Sequence, residues 1–294
     1  MSYVGRFAPS PSGPLHFGSL VAAVASYLDA RSRGGEWHLR IEDVDAPRTV
    51  PGAAQSILGT LEALGFAWDG PVVRQSMRTA RYAQALAALE AGGTAYRCVC
   101  TRKEIADWAL GGIEGFVYPG TCRHSAIGPS ERTATRVLAG DDTIAFEDRL
   151  QGPIAQRIGT DIGDFVVKRS DGLIAYQLAV VVDDADLGVT DVVRGADLLL
   201  STPRQIRLQR LLGLPTPRYL HVPVATRGGQ KLSKQTLATE IDVRNAAGEL
   251  ARALAFLGQD PPAPGPATRI LEKARTRWDA ARIPRARSIE IGPA

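Results

Sequence analysis

The chain has 294 residues, of which 45% are hydrophobic and 22% charged, and its formal net charge is +4. This composition excludes a largely disordered chain, and no segment reaches the roughly 18 uninterrupted apolar residues of a membrane span. Residues 1–6 lack the basic start of a signal peptide. We therefore expect a cytoplasmic protein with no membrane contact, whose three cysteines are reduced thiols or metal ligands rather than disulfides.

The first part of the chain alternates predicted strands and helices. A buried strand is predicted at Tyr3–Ala8, and a proline-rich turn at residues 9–14 leads into a helix. Apolar residues recurring with a period near 3.6 mark that helix: Leu20, Val21, Val24, Ala25 and Leu28. The next predicted elements are a strand at Trp37–Ile41 and helices at Ala53–Leu64 and Ala80–Glu90. This alternation indicates a parallel sheet, and a strand, tight loop and helix together open many nucleotide-binding units.

The middle of the chain is less regular. Between Tyr96 and about Asp164 the pattern is irregular and contains all three cysteines, which indicates an inserted subdomain. Apolar and β-branched segments then return, and they predict strands at Phe165–Lys168, Ala175–Val182 and Asp191–Arg194, followed by a helix at Pro203–Leu212. Beyond a glycine-containing loop at residues 227–235 the tail is largely helical and is divided by Pro261–Pro266.

One short motif, Pro14 to Ser19, lies where the first predicted strand gives way to the first helix. The amides at a helix N-terminus favour phosphate oxygens, and Gly18 lets a flat adenine approach the backbone. His16 can donate a hydrogen bond to charge that builds on phosphates in a transition state. A histidine before a glycine is, taken alone, more often structural.

A second motif, Gln230 to Gln235, lies in a polar loop far along the chain. Attack of a carboxylate on the α-phosphorus of ATP expels pyrophosphate, and the mobile ammonium of Lys234 suits that charge, with Lys231 beside it. The alternative is a lysine-rich surface loop. Together the two motifs favour ATP chemistry.

The letters HFGS and KLSKQ resemble the two signature sequences of class I aminoacyl-tRNA synthetases. The stretches Arg6–Gly13, Arg40–Asp45 and Val193–Asp197 resemble the glutamyl branch of that class, and within it the chain is most similar to the glutamyl-Q tRNA(Asp) synthetase family. The resemblance implies that L-glutamate is activated by ATP with Mg²⁺ and that the glutamyl group passes to queuosine in the anticodon of tRNA(Asp). Leu232 replaces the usual methionine and Ser19 the usual histidine, while Gly18 and Lys234 are retained.

The resemblance also implies a doubly wound parallel, Rossmann-like α/β catalytic domain with a zinc-bearing insertion and a short helical C-terminal extension. We predict the first half of the catalytic domain at residues 1–96, the insertion at 97–164, the second half at 165–225, and the KLSKQ loop with the helical extension at 226–294. Too few residues follow KLSKQ for the large anticodon-binding region of the full-length glutamyl-tRNA synthetases.

The cysteines predict one structural zinc ion. A Cys-x-Cys pair, Cys98 and Cys100, with the distant Cys122 is a partial tetrahedral zinc signature. Ligand chemistry favours His124 as the fourth ligand, because a tyrosine oxygen is uncommon on zinc, whereas the resemblance implies Tyr118, which we adopt. The alternative is three unconnected thiols.

Two arginines at predicted strand ends, Arg6 and Arg194, are suited to bind carboxylates by paired hydrogen bonds, and Glu42 is suited to an ammonium group. Simple ion pairs are the alternative. The resemblance implies glutamate-binding roles for eight residues: Arg6, Phe7, Ala8, Pro9, Ser10, Glu42, Tyr176 and Arg194. It leaves open which arginine binds which carboxylate. We expect Asp183, Asp184 and Asp197 near the site but assign them no role. Once Tyr118 is adopted as the fourth zinc ligand, we interpret His38, His124 and His221 as ordinary polar positions.

The tail from Arg244 onward has nine basic and five acidic residues, so its net charge equals the +4 of the whole chain. Arg269, Lys273 and Arg277 are candidates for contacts with RNA phosphates, and a solvated helix surface is the alternative. We expect a monomer. Two other functions stay open: a truncated glutamyl-tRNA synthetase acting on the tRNA 3′ end, and a non-catalytic RNA-binding module.

Overall fold

The computed structural model describes residues 2–108, 111–112, 115–128, 132–231 and 239–292. Up to the start of the predicted insertion the elements are β1 (Val4–Phe7), α1 (Phe17–Arg31), β2 (Glu36–Ile41), α2 (Ala53–Ala63), β3 (Val73–Arg74) and α3 (Thr79–Ala91). The next elements are β4 (Ala95–Cys98), α4 (Arg102–Trp108), β5 (Gly111–Gly112), β6 (Gly115–Phe116), β7 (Ala134–Val137), β8 (Thr143–Asp148), β9 (Gly152–Arg157), α5 (Ile158–Asp161) and β10 (Phe165–Lys168). The remainder comprises α6 (Tyr176–Asp186), β11 (Asp191–Gly195), α7 (Thr202–Leu212), β12 (Arg218–Val222), β13 (Val224–Arg227), β14 (Gln230–Lys231), α8 (Ala246–Phe256), α9 (Ala267–Arg277) and β15 (Ser288–Glu290).

The central strands are parallel. β1 pairs with β2 and β2 with β3, while β11 pairs with β12 so that Val193 lies opposite Leu220. The two groups meet because the backbone N–H of Thr190, just before β11, donates to the carbonyl of Val4 at 2.9 Å. The resulting order is β3, β2, β1, β11, β12, and the winding reverses between β1 and β11. This doubly wound α/β order confirms the predicted fold class, and ligands of such sheets bind at the reversal.

Helix α1 covers the sheet and is apolar on nearly every face because it is covered in turn. Leu20, Val24 and Leu28 have no exposed surface. They share one core cluster with residues of the sheet and of the C-terminal helices α8 and α9, among them Leu254 and Leu271. A helix packed between two layers has little solvent-facing surface, which explains why apolar residues lie on nearly every face of α1.

Three predictions about elements are corrected. Ala175–Val182 is not a strand, because Tyr176–Asp186 forms helix α6. Its residues Leu178 to Asp184 are all buried, so the apolar run reflects a helix enclosed on several sides. Residues 143–157 are not irregular, because β8 and β9 form an antiparallel hairpin whose Asp148 lies beside Tyr219 of β12. The tail is not only helical, since β15 pairs in parallel with β13.

The cysteine-bearing part is held by an antiparallel sheet in the order β10, β7, β4. Cys98, at the end of β4, lies opposite Ala134 of β7. None of the helices in the described ranges has the length and apolar character that a membrane crossing demands.

Candidate active site

A cavity of about 560 Å³ opens at the carboxyl ends of the parallel strands, where the winding reverses. Most of the predicted glutamate- and ATP-site residues line it: Arg6, Phe7, Ala8, Pro9, Ser10, His16, Gly18, Glu42, Tyr176 and Arg194. Val222, Pro223, Val224 and Ala225 form another wall. The fold therefore brings together residues that are scattered along the sequence.

The N-terminus of α1 forms one side of the cavity. His16 is the N-cap, and its Nδ1 accepts a hydrogen bond from the backbone N–H of Ser19 at 3.3 Å. The Ser19 hydroxyl lies 3.1 Å from His16 Nε2. His16 is therefore structural as well as cavity-lining, and the helix end offers backbone N–H groups to an anion.

The structure describes the chain on both sides of the second signature. Its start, Gln230–Lys231, is strand β14 and pairs with β13. On the far side of the signature, Glu240 forms an antiparallel bridge with His16, and the N–H of Ile241 donates to the carbonyl of Leu15 at 3.1 Å. Leu232, Ser233, Lys234 and Gln235 lie outside the described residues, as does the side chain of Lys231. The described flanks connect the two motifs in space.

A buried ionic network supports Arg6 and Glu42. Arg6 Nε donates to Asp184 Oδ1 at 3.2 Å, and the same oxygen accepts from Arg40 Nη1 at 2.6 Å. Arg40 Nη2 donates to Glu42 Oε1 at 3.1 Å. Burial opposes ionisation of Asp184, but Arg6 and Arg40 outweigh it and hold the pKa of that carboxyl below its usual value. Burial raises the pKa of Glu42, against the opposing effect of Arg40. Asp184, which had no assigned role, thus orients Arg6.

Arg194 has a different environment. Its Nε donates to His221 Nε2 at 3.0 Å, and its Nη2 donates to Thr202 Oγ1 at 2.9 Å and to Gln205 Oε1 at 2.8 Å. Its Nη1 donates to the hydroxyl of Tyr176 at 3.3 Å. Burial raises the pKa of Tyr176, so its phenol stays protonated at neutral pH.

The interpretation of His221 as an ordinary polar position is wrong. His221 lies on β12 with no exposed surface, and its Nδ1 lies 2.6 Å from Asp148 Oδ2. Burial lowers the pKa of His221 to about 4, although Asp148 opposes the shift. The ring is therefore neutral near pH 7, donates to Asp148 and accepts from Arg194. The sequence offered only a weak signal, a histidine within the buried strand segment Tyr219–Val222.

The three cysteine sulfurs lie within 4.8 Å of one another. Cys100 Sγ and Cys122 Sγ are 3.5 Å apart, close to the separation of about 3.8 Å that two sulfurs have on a tetrahedral zinc ion with Zn–S bonds of about 2.3 Å. Three thiols at this spacing can bind a soft or borderline metal ion.

Tyr118 is the fourth polar group of this cluster. Its hydroxyl lies 3.3 Å from Cys98 Sγ and 3.5 Å from Cys100 Sγ, and it accepts from the N–H of Cys122 at 2.9 Å. The guanidinium of Arg136 stacks 3.9 Å from the centre of the Tyr118 ring and donates to Cys98 Sγ at 3.2 Å. His124 is exposed and does not belong to the group of sulfurs. The geometry supports Tyr118 over His124.

Comparison with known proteins gives the family. The sequence model described as tRNA synthetases class I (E and Q), catalytic domain, matches residues 3–256. The protein named glutamyl-Q tRNA(Asp) synthetase from Chromobacterium violaceum is 56% identical over 284 residues, which cover 96% of this chain and 95% of that protein. A protein of the same name from Dechloromonas aromatica is 57% identical over 289 residues and is covered to 96%. The chain belongs to the glutamyl-Q tRNA(Asp) synthetase family. Membership confirms the resemblance of the HFGS and KLSKQ motifs.

The solved structures support the fold of this synthetase. The match to a crystal structure of glutamate-tRNA synthetase from Elizabethkingia anophelis covers 99% of this chain and 68% of the Elizabethkingia chain, with a TM-score of 0.81 and 24% sequence identity. That similarity establishes a shared class I catalytic architecture. The roles of individual residues rest on the geometry of the cavity described above.

Proposed function

We propose that this synthetase activates L-glutamate with ATP and transfers the glutamyl group to queuosine in the anticodon of tRNA(Asp). Relatives of that name at 56% and 57% identity over nearly the whole chain support the reaction. The single observation that best supports glutamate as substrate is the cavity itself, which combines Arg6, Arg194 and Glu42 with the amino end of α1. A dicarboxylate with one ammonium group matches two guanidiniums and one carboxylate.

In the first step a glutamate carboxylate oxygen attacks the α-phosphorus of ATP, a bond forms to that phosphorus, and pyrophosphate leaves. Arg6, Arg194 and Tyr176 would orient the substrate, with Glu42 opposite its ammonium group. His16, Gly18 and the amides of α1 would face the phosphates, and Lys231 and Lys234 would stabilise the leaving charge, with Mg²⁺ supplied together with ATP. In the second step a hydroxyl of the queuosine ring attacks the adenylate carbonyl, an ester bond forms as the bond between the carbonyl carbon and the phosphate oxygen breaks, and AMP and the hydroxyl proton are released.

The remaining assignments accompany this proposal. We propose that Cys98, Cys100, Tyr118 and Cys122 bind one zinc ion, and that this ion would be structural because it would tie β4 to the segment around Cys122. The division into residues 1–96, 97–164, 165–225 and 226–294, the cytoplasmic location and the monomeric state stay predictions.

Pyrophosphate exchange tests the first step. Lys234→Ala should lower glutamate-dependent exchange by about 10²-fold or more, because it removes a charge that stabilises the transition state. Lys103→Ala, an exposed lysine on α4, is the matched control and should leave exchange unchanged. Near wild-type exchange by Lys234→Ala would contradict the assignment of the signature loop.

A transfer assay tests the acceptor. Labelled glutamate should join tRNA(Asp) that contains queuosine, should do so after periodate oxidation of the 3′ end, and should fail to join the same tRNA with guanosine at that position. Complete loss of labelling after 3′ oxidation would instead identify a truncated glutamyl-tRNA synthetase. Absence of both exchange and transfer would favour a non-catalytic RNA-binding module.

A further inference from the structure

Behind Arg194, on the side away from the cavity, lies a buried pair of residues that the reaction as described does not use. His221 and Asp148 both have essentially no exposed surface, at 0% and 1%. Asp148 Oδ1 accepts from the backbone N–H groups of Leu150 and Gln151 at 3.1 and 2.8 Å, so its carboxylate is fixed by the turn that follows β8. Its other oxygen, Oδ2, contacts His221 Nδ1 at 2.6 Å.

The charge of the partners distinguishes the two arginines of the cavity. Arg6 shares the carboxylate of Asp184 with Arg40. Arg194, by contrast, contacts an imidazole, two hydroxyls, an amide and a backbone carbonyl, and within the described part of the chain it forms no ion pair. Neutral hydrogen-bond partners thus orient the guanidinium of Arg194 without neutralising its charge. A fixed and uncompensated positive charge is what a substrate carboxylate requires.

A neutral histidine is suited to this task. With its proton on Nδ1, held by Asp148, the ring presents only an acceptor lone pair at Nε2 to the Nε–H of Arg194. A carboxylate in the same place would neutralise Arg194, and a protonated ring would repel it. The neutral tautomer gives orientation while the positive charge of Arg194 stays available to the cavity.

We propose that His221 and Asp148 are positioning residues that fix Arg194 for one carboxylate of the glutamate substrate. The inference rests on the proposed function, since it assigns Arg194 to a substrate carboxylate. It also predicts selectivity. Glutamine, which lacks one carboxylate, would leave the charge of Arg194 poorly paired in a buried pocket.

Four variants test the dyad. Asp148→Asn keeps Oδ1 for the backbone amides but places an amide donor against His221 Nδ1, which drives the ring proton to Nε2, where it opposes the Nε–H of Arg194. His221→Asn retains the donor toward Asp148 and lacks the acceptor toward Arg194. His221→Gln places an acceptor oxygen near the position of Nε2. The double variant Asp148→Asn with His221→Gln restores that acceptor when Asp148 is altered.

In pyrophosphate exchange, Asp148→Asn and His221→Asn should each raise the KM for glutamate about tenfold or more, the effect of losing a hydrogen bond to a charged group, while the KM for ATP changes little. His221→Gln should remain within about threefold of wild type, and adding it to Asp148→Asn should recover most of the lost affinity. His38→Asn is the control, because His38 is a partly buried histidine on β2 that contacts Glu36 and the carbonyl of Asp69. In the wild type, ¹⁵N spectra should show His221 protonated on Nδ1 alone.

Unchanged glutamate KM in Asp148→Asn and His221→Asn would overturn the proposal. So would an equal rise in the KM for ATP and glutamate with a lowered melting temperature, which would show a merely structural role. Absence of glutamate-dependent exchange in the wild type would refute the proposed function instead. In that case two comparisons between wild type and Asp148→Asn still test the roles of His221 and Asp148. They are the tautomer of His221 and the rise in melting temperature that glutamate causes.

Discussion

Arg6, Arg40 and Arg194 are all buried, at 3%, 0% and 5% exposure, but they differ in what compensates their charge. Arg40 binds both Asp184 and Glu42, so it holds the acidic side of the cavity together. Because burial raises the pKa of Glu42, the substrate ammonium group that we propose to lie opposite it would supply part of the stabilisation that water otherwise gives a carboxylate. In the proposed complex, the ammonium and carboxylate charges of glutamate would offset the charges of Glu42 and Arg194.

The pKa of His221 predicts a pH dependence of stability. The pKa in the folded state is about 4, below the ordinary value of 6.5, so on acidification the unfolded chain binds the proton first. Stability from this residue is complete at neutral pH and falls as the pH drops from about 6.5 toward 4. Between pH 7 and 5.5 the wild type should lose about 1 kcal/mol more unfolding free energy than His221→Gln.

Denaturant unfolding at both pH values measures this difference. Asp148 and Arg194 face the ring directly, and Asp197 acts on it at longer range. Carboxylates remain ionised over this range in the unfolded chain, so the comparison reports the histidine. Parallel losses in the two proteins would mean that His221 titrates normally in the folded state.

Single residues could be assigned from the sequence where the motif that contains them is local. His16 and Gly18 could be predicted because a strand, turn and helix lie together in the chain, and the cavity does contain them. Asp184 and His221 could not be assigned, because their meaning depends on Arg6 and Arg194, which reach them only through the β1–β11 contact and the β11–β12 pairing. Contacts between residues that are far apart in the chain produce no periodic pattern in the sequence, so the sequence does not reveal them.

At the scale of elements, most of the predicted strands and helices agree with the observed bounds within about two residues, whereas α6 was assigned the wrong type and β15 was not predicted. Helix α6 reads as a strand because its valines and leucine form one apolar run, which is typical of a buried strand as well as of a buried helix. Strand β15 is only three residues long and half exposed, so its sequence contains little signal. Tertiary contact with β13 decides its conformation.

Strand β15 predicts a remote effect on ATP chemistry. Glu290 accepts from the hydroxyl of Thr226 at 2.8 Å and from the N–H groups of Gly228 and Gly229, which form the turn of the β13–β14 hairpin before KLSKQ. Glu290→Ala should loosen this turn and lower kcat for pyrophosphate exchange about threefold, with the glutamate KM unchanged. The control is Glu62→Ala, which removes an exposed carboxylate on α2. The same kcat in the two variants would contradict a role of Glu290 in supporting the turn.

The metal cluster predicts a separable defect. Purified protein should contain one zinc ion per chain, and Cys98→Ser should lose it together with thermal stability, while adenylate formation partly survives because the cysteines do not line the cavity. Tyr118→Phe should also lower zinc content, whereas His124→Ala should not. Metal analysis by mass spectrometry measures both. Zinc loss in His124→Ala alone would reverse the choice of fourth ligand.

At the scale of the whole molecule, helix α9 presents three basic residues along one side of the helix, next to its core contacts. Ile270 and Leu271 are buried against α1 and α8, while Arg269 and Arg277 are exposed and Lys273 is partly exposed. Replacing these three with glutamine should weaken transfer to tRNA and lower the slope of log affinity against log salt by up to about three, since each phosphate contact contributes about 0.7 to 0.9.

Pyrophosphate exchange is the internal control for this triple variant, because no residue of α9 lines the cavity. A second control is Arg157→Gln, an exposed arginine at the end of β9. Transfer that is unchanged at every salt concentration would show that α9 is an ordinary solvated surface. A similar loss in Arg157→Gln would show that the effect is one of net charge alone.

The pairing of β13 with β15 has a consequence for biogenesis. Val224 to Thr226 lie beside Ser288 to Glu290, so the hairpin that leads into KLSKQ gains its third strand from a much later part of the chain. During translation, the parallel strands, α1 and the cysteine-bearing sheet can all fold before that segment has been made. The proposed ATP site would therefore gain its last support only after residue 290 has left the ribosome. A nascent chain arrested earlier would be folded in large part and still impaired in the proposed activation of glutamate.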